Sequence, residues 1–481
     1  MIWTAAQDTL PPAPPVRRLA APPAGIAETI ELTITQFGAR EHSVEAFELA
    51  LDGLVRQAHR DRIALTTALD SALGHRYRTQ SEARAIAAEH VVPATLLGRI
   101  PGYSLKPGTV VRRRGHEECA QGGLELVMAA RVREIGYALL SQRPLPFLLA
   151  TPTWETGALA PADLVERLAE YERLGVRPGP ADFGQALLRV RRDDPDAPAA
   201  AGAAARLGTA EGDRLAAWLG PDGEPGTPVR RIVEPDPRAH RSWARAEATV
   251  PQVVFTSGGL PALLRHFPDA FHWLGRPHEG FTQCYHWHQG HPVRASVLPE
   301  DRETQAAWLL PSVTLAATVG AHGDAWMLPH LARLGGPAGP ALHAAVAAGL
   351  GAQYPERRRP AAEALLVLAA RGELDARLLG SELAAMAALG TVKPNRLADA
   401  ARSAAGAGAY ATVWAVLAEA LPGLLPSVRG AGELLAVAAD CAERSGAAGP
   451  VPPEVAVIAA RRDSYRPARE ARRLAAALTG S

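Results

Sequence analysis

Lysine is nearly absent from this chain: of 51 basic residues, only Lys106 and Lys393 are not arginine. Aromatic residues make up 5%, too few to offer the successive stacking platforms that single-stranded nucleic acid uses. No charge of one sign dominates either. With 51 Lys+Arg against 50 Asp+Glu the formal charge is +1, which argues against a dedicated nucleic-acid or acidic-membrane binder. The three cysteines, Cys119, Cys284 and Cys441, lie far apart. They exclude a disulfide scaffold and fit a reducing, cytoplasmic compartment. No uninterrupted apolar run reaches about 18 residues, so no transmembrane helix is expected, and Met1 to Pro15 lacks the basic-then-apolar pattern of a secretory signal.

Nucleotide and hydrolase signatures are missing as well. There is no Gly-x-x-x-x-Gly-Lys-Ser/Thr phosphate loop, no Gly-x-Ser-x-Gly elbow, no HExxH and no paired CxxC. Ser257-Gly258-Gly259 has nothing beside it in sequence to orient a nucleophile. His322 and Asp324 stand two apart and would point to different helix faces. Cys441, in an alanine-rich helix, reads as a small buried hydrophobe.

What the chain has in abundance is alanine, about a fifth of all residues and well above ordinary usage. Together with the arginine bias this is the codon signature of a high-GC genome. The densest basic runs, Arg112–Arg114 and Arg357–Arg359, cannot each share one helix face and read as solvated ends or loops.

Hydrophobic periodicity predicts a mainly α protein: a HEAT-like α-solenoid of helix pairs, with a small β-containing or irregular connector in the middle. Residues 1–38, rich in proline, read as an extended or disordered segment. Residues 39–118 read as amino-terminal helical hairpins and a loop. Val44, Phe47, Leu51, Leu54, Val55 and Ala58 form one stripe, a second helix covers 63–73, and a third ends near His90. Residues 119–227 form a middle helical block. A long helix spans about 121–142, the apolar run Phe147–Thr153 is bounded by prolines, and 193–205 is a low-complexity break. Residues 228–300 are a connector, with strand-like stretches at 229–233 and 250–256. From 301 to 481 ten helices are expected, with Gly or Pro at most junctions. Helix pairs beginning near 338, 375, 409 and 453 recur at the spacing of two-helix solenoid units.

The most conspicuous chemistry is a histidine-rich stretch within the connector, Cys284-Tyr285-His286-Trp287-His288-Gln289-Gly290-His291. Alternation would put Cys284, His286 and His288 on one face of an extended segment, with His291 returning after Gly290. Four such ligands suit tetrahedral zinc, although the spacing matches no established zinc motif. Aromatic and imidazole packing between helical blocks explains the same residues without a metal. No catalytic residue and no organic cofactor site emerges.

Leu148–Thr153, the following helix Leu164–Leu174, Asp182–Arg189, Trp287–Arg294, Val392–Arg396 and Gly408–Trp414 together resemble an uncharacterised high-GC bacterial family of large HEAT-like helical-repeat proteins. A weaker similarity extends to repeat proteins associated with WGR domains and to molybdate-regulator-like proteins. The resemblance covers most of residues 40–481. Its members are often longer at the amino terminus, so it implies a shortened form or a carboxy-terminal part. It implies a fold and transfers no site residue. The functional expectation is a non-enzymatic protein-interaction scaffold, with a zinc protein, structural or hydrolytic, as the alternative. A protein partner is expected; nucleic acid and membrane are not.

Overall fold

The computed structural model describes residues 7–38, 43–77, 88–106, 121–140, 145–224, 226–235, 249–256, 262–275, 292–321, 324–425, 430–461 and 465–480. The chain is mainly α. Residues 7–25 are largely extended, as their prolines dictate, but they are not loose. The Thr9 amide donates to Gly408 O at 3.0 Å and the Leu19 amide to Thr153 O at 2.8 Å. They form a strap joining two parts of the molecule, near Thr153 and near Gly408, that are 255 residues apart in sequence. Extension ends sooner than proline content suggests, because α1 (Ile26–Gly38) begins directly after Gly25 and packs on α2 (Val44–Tyr77).

α2 contains both expected stripes, but they do not form a hairpin. Asp61 alone leaves helical geometry (φ −152°, ψ 88°), and its carboxylate caps the second half by accepting from the Ala64 amide at 2.9 Å. One extended residue kinks a helix; reversal needs a loop of two to five. α3 (Ala88–Leu96) runs through Pro93, past the expected end near His90. Burial of Val91, Val92 and Ala94 outweighs the missing proline donor.

α4 (Gln121–Leu140), α5 (Pro161–Arg173), α6 (Pro180–Arg189), α7 (Ala197–Arg206) and α8 (Ala210–Trp218) follow. Alternate helices pack together: α4 on α6, α6 on α8, and α5 on α7. α7 replaces the low-complexity break expected at 193–205. Alanine is the strongest helix former, and Ala197, Ala200 and Ala204 bury one i, i+3, i+7 face. The connector holds an antiparallel pair, β1 (Val229–Val233) and β2 (Gln252–Thr256), in register from Val229↔Thr256 to Val233↔Gln252. Two single-turn helices follow, α9 (Asp269–His272) and α10 (Pro292–Ala295).

The remaining ten helices are α11 (Arg302–Thr318), α12 (Leu328–Arg333), α13 (Pro340–Leu350), α14 (Pro355–Ala370), α15 (Ala376–Ala388), α16 (Pro394–Gly406), α17 (Tyr410–Leu424), α18 (Ala431–Arg444), α19 (Pro453–Ala459) and α20 (Arg466–Thr479). Each matches an expected helix. One layer stacks α11, α13, α15, α17 and α19 in order, the other α12, α14, α16, α18 and α20. That is the packing of an α-solenoid. Small residues set the closeness: a Cβ on Gly380 would lie 2.7 Å from Val416 O, and one on Gly423 2.6 Å from Ala384 Cβ. A continuous hydrophobic core joins both helical blocks, from Ile30 to Leu478.

Arginine secures the stack. Helix C-termini leave carbonyls without partners, and arginines in the first turns of later helices supply donors. Arg357 donates to Gly320 O at 2.6 Å, Arg358 to Ala352 O at 2.9 Å and Arg396 to Ala317 O at 2.7 Å. The run Arg357–Arg359 therefore sits at the start of a helix, but Arg358 is buried rather than solvated. The run Arg112–Arg114 lies outside the described residues.

Candidate functional site

The densest polar chemistry among the described residues is buried where α2, α4 and α6 meet the segment 145–153. Glu48 and Asp52 are one turn apart on α2, on the apolar face that carries Phe47 and Leu51. Arg131 enters from α4. Asp182, Gln185 and Arg189 form an i, i+3, i+7 stripe on α6, in which every residue from Ala181 to Arg189 is buried. Glu48, Asp182, Arg131 and Arg189 are each at most 2% exposed.

Arg131 bridges two carboxylates: its Nη1 lies 2.9 and 2.8 Å from the Glu48 oxygens, and its Nε 2.8 Å from Asp182 Oδ1. Arg189 Nη2 reaches Glu48 Oε1 at 2.7 Å. Burial alone would raise the Glu48 carboxyl, but the two guanidiniums hold it below the usual carboxylate range. Asp52 goes the other way, because burial outweighs its Arg56 partner. Burial likewise lowers Arg189, whereas its two carboxylates raise Arg131 despite burial.

The cluster satisfies a buried loop. Residues 145–153 have no ladder partner, and unpaired backbone groups out of water are costly. The Leu148 amide donates to Asp52 Oδ1 at 2.7 Å and the Leu149 amide to Asp182 Oδ2 at 2.6 Å. Arg189 Nη1 donates to Ala150 O at 2.6 Å, Arg167 Nη1 to Leu149 O at 2.7 Å, and the Tyr171 hydroxyl to Phe147 O. The far side of α6 reaches the end of the connector: Gln185 donates to Val297 O at 2.8 Å and Arg189 Nε to Ser296 O at 2.9 Å. All six carboxylate oxygens of Glu48, Asp52 and Asp182 accept a bond. Chemically the cluster is a clamp whose acceptors are spent on the protein itself. Within it, Arg131 Nη2 is the one buried polar atom that lacks a hydrogen-bond partner among the described residues.

A second device recurs in both helical blocks. α6 and α13 each begin at Gly-Pro-Ala, a start with no capping side chain of its own. A glutamate on the packed helix substitutes. Glu134 of α4 accepts from the Ala181 and Asp182 amides at 2.8 and 2.9 Å. Glu303 of α11 accepts from Gly339, Ala341 and Leu342, each at 2.9 Å. Burial pushes Glu134 up to about 7 and raises Glu303. The glutamates lie close against both N-termini: a Cβ would sit 2.1 Å from Glu134 Oε1 at Gly179 and 2.7 Å from Glu303 Oε2 at Gly339, so a larger residue there would displace the carboxylate.

The zinc candidates Cys284, His286, His288 and His291 lie outside the described residues, as do His278, His322 and Ser257–Gly259. Of the connector histidines, His266 and His272 are described, and His272 Nε2 lies 3.0 Å from Arg265 O. Among the described residues no three His, Cys, Asp or Glu side chains are grouped to hold a metal. Cys441 is buried and its thiol is pushed up to about 12, mainly by burial, as expected of a packing residue. Asp324 accepts from the Ser312 hydroxyl at 2.5 Å. Among the described residues no helix is long and apolar enough to cross a membrane.

Sequence reasoning did not single out the buried charges. The available signals were the acidic pair Glu48/Asp52 on an apolar face, the i, i+3, i+7 polar stripe of α6, and the repeated Gly-Pro-Ala. No curated protein and no solved structure matches this chain. A family model described as a domain of unknown function (DUF7824) matches residues 37–257, the stretch that contains Glu48, Asp52, Arg131, Glu134, Asp182 and Arg189.

Proposed function

We propose that the protein is a non-enzymatic, cytoplasmic scaffold of HEAT-like helix pairs that holds a protein partner along its stacked helices. The supporting observation is the ordered layering of α11 to α20. Stacks of this kind bury their cores between neighbours and leave long surfaces free for partners. Ion pairs lace together α18 and α20, the last two helices of one layer. Arg466 pairs with Glu433, and Arg473 with Asp440 and Glu443. The clamp adds support, because each of its carboxylate oxygens is engaged in holding the chain together.

The test is crosslinked affinity capture from the native cell, followed by reconstitution with each captured protein in purified form. The scaffold reading expects a stoichiometric complex whose hydrogen-exchange protection runs over several consecutive helices. It fails if no captured protein re-forms a complex with the folded chain.

A further inference from the structure

We propose that the outer edge of β1 accepts an extended, acid-bearing segment of a partner protein as a third strand, an inference that rests on the scaffold reading. β2 supplies the buried side of the ribbon: Gln252, Val253 and Phe255 are buried, and the strand packs on α11. β1 is the opposite. Four of its five residues are exposed, including Val229 at 55% and Ile232 at 53%. An isolated two-stranded ribbon is marginal in water, and this one is pinned from outside the sheet. Arg230 forms a two-pronged pair with Glu382 of α15, at 2.8 and 3.1 Å. β1 is thus held in place while its outer edge faces away from β2.

An edge strand presents a row of unpaired amide and carbonyl groups, a template for another strand. Among the described residues no backbone bond from outside the ribbon reaches Val229–Val233. The side chains select the occupant. Cross-strand neighbours share a face, so Arg230 and Ile232 lie with Phe255 and Val253, and Val229, Arg231 and Val233 occupy the other face. Arg230 is spent on Glu382, whereas Arg231 is exposed and has no ion pair among the described residues. A second copy of β1 is disfavoured, because antiparallel pairing centred on Arg231 opposes arginine to arginine. A strand with a carboxylate opposite Arg231 and branched apolar residues opposite Val229 and Ile232 meets charge with charge and covers the exposed side chains.

The experiment uses the full chain and two fluorescent peptides of about nine residues, long enough to span one strand. One carries a single central glutamate flanked by valine and threonine, the other a central lysine in its place. Anisotropy is expected to show saturable binding of the glutamate peptide, with at least about tenfold preference over the lysine peptide, and slowed exchange of the β1 amides. Arg231→Glu reverses the preference, and Ile232→Pro, checked for native circular dichroism, removes both. Equal affinity for the peptides, no saturation by about 1 mM, or an unchanged preference in Arg231→Glu overturns the proposal. A natural partner that binds wild type and Arg231→Glu equally well refutes the edge but leaves the scaffold standing; absence of any partner refutes the scaffold.

Discussion

Replacing Glu48 by glutamine tests whether the buried clamp organises the amino-terminal block. The substitution is nearly isosteric, so it changes charge and donor pattern rather than volume. Three contacts of 2.7 to 2.9 Å to Arg131 and Arg189 lose their anion. Arg131 retains Asp182. Arg189 keeps only neutral oxygens: the carbonyls of Ala150 and Ser296 and the Ser296 hydroxyl. The new amide also places a donor among guanidinium donors. Leaving a buried charge uncompensated costs about 3–5 kcal/mol, a large share of the roughly 5–15 kcal/mol that holds a domain folded. Urea unfolding followed by circular dichroism is expected to show an earlier first transition. Exchange should accelerate at the Leu148 and Leu149 amides, whose acceptors the clamp positions. Adding Arg189→Met removes the stranded cation, so the double variant should lose less than the sum of the singles, with a coupling of roughly 0.5–3 kcal/mol. A Glu48→Gln protein within about 0.5 kcal/mol of wild type, or strict additivity, would refute the clamp.

Other perturbations follow from single contacts. Gly184→Ala puts a Cβ 2.9 Å from ring atoms of Phe267 and Phe271; overpacking of about 1–3 kcal/mol should lower Tm, and a Tm at or above wild type would contradict it. His343 accepts the Asp375 amide at Nε2 (3.0 Å), so in its neutral form its Nδ1–H donates to Gly339 O (2.8 Å). Burial lowers its pKa below the ordinary 6.5. The unfolded chain therefore binds the proton more readily, and the stability this residue contributes above pH 6.5 is lost as pH falls through the lowered value. His343→Gln should flatten that acid limb; superimposable pH–stability curves would exclude the assignment. Asp8 of the strap caps α17, accepting from the Ala411 amide at 2.6 Å and the Thr412 amide at 3.2 Å. Asp8→Ala should cost about 1 kcal/mol and speed exchange at those two amides, and unchanged protection would mean that the strap does not bear on α17.

The helical class, the ten carboxy-terminal helices and the β1–β2 pair were all legible in the sequence. Each rests on a local cause: a 3.6-residue apolar period, Gly or Pro at a junction, or β-branched runs between turns. Local signals misled where packing opposed them. Pro93 lies inside a helix because its neighbours are buried on α4. The alanine-rich stretch near 200 looked featureless, yet it folds as α7 on α5. Proline explains the extended strap, but no periodicity could show that Thr9 meets Gly408.

Tertiary structure alone decided the clamp and the edge. Glu48, Arg131, Asp182 and Arg189 span 141 positions in sequence, and a charge on an apolar face shows locally neither that it is buried nor which distant counter-charge it meets. Their significance arises when the folded chain withdraws water from all four at once, so that each must find its counter-charge in the others. β1, by contrast, was readable as a strand from its own residues. That no described residue bonds to its outer side is a property of what surrounds it.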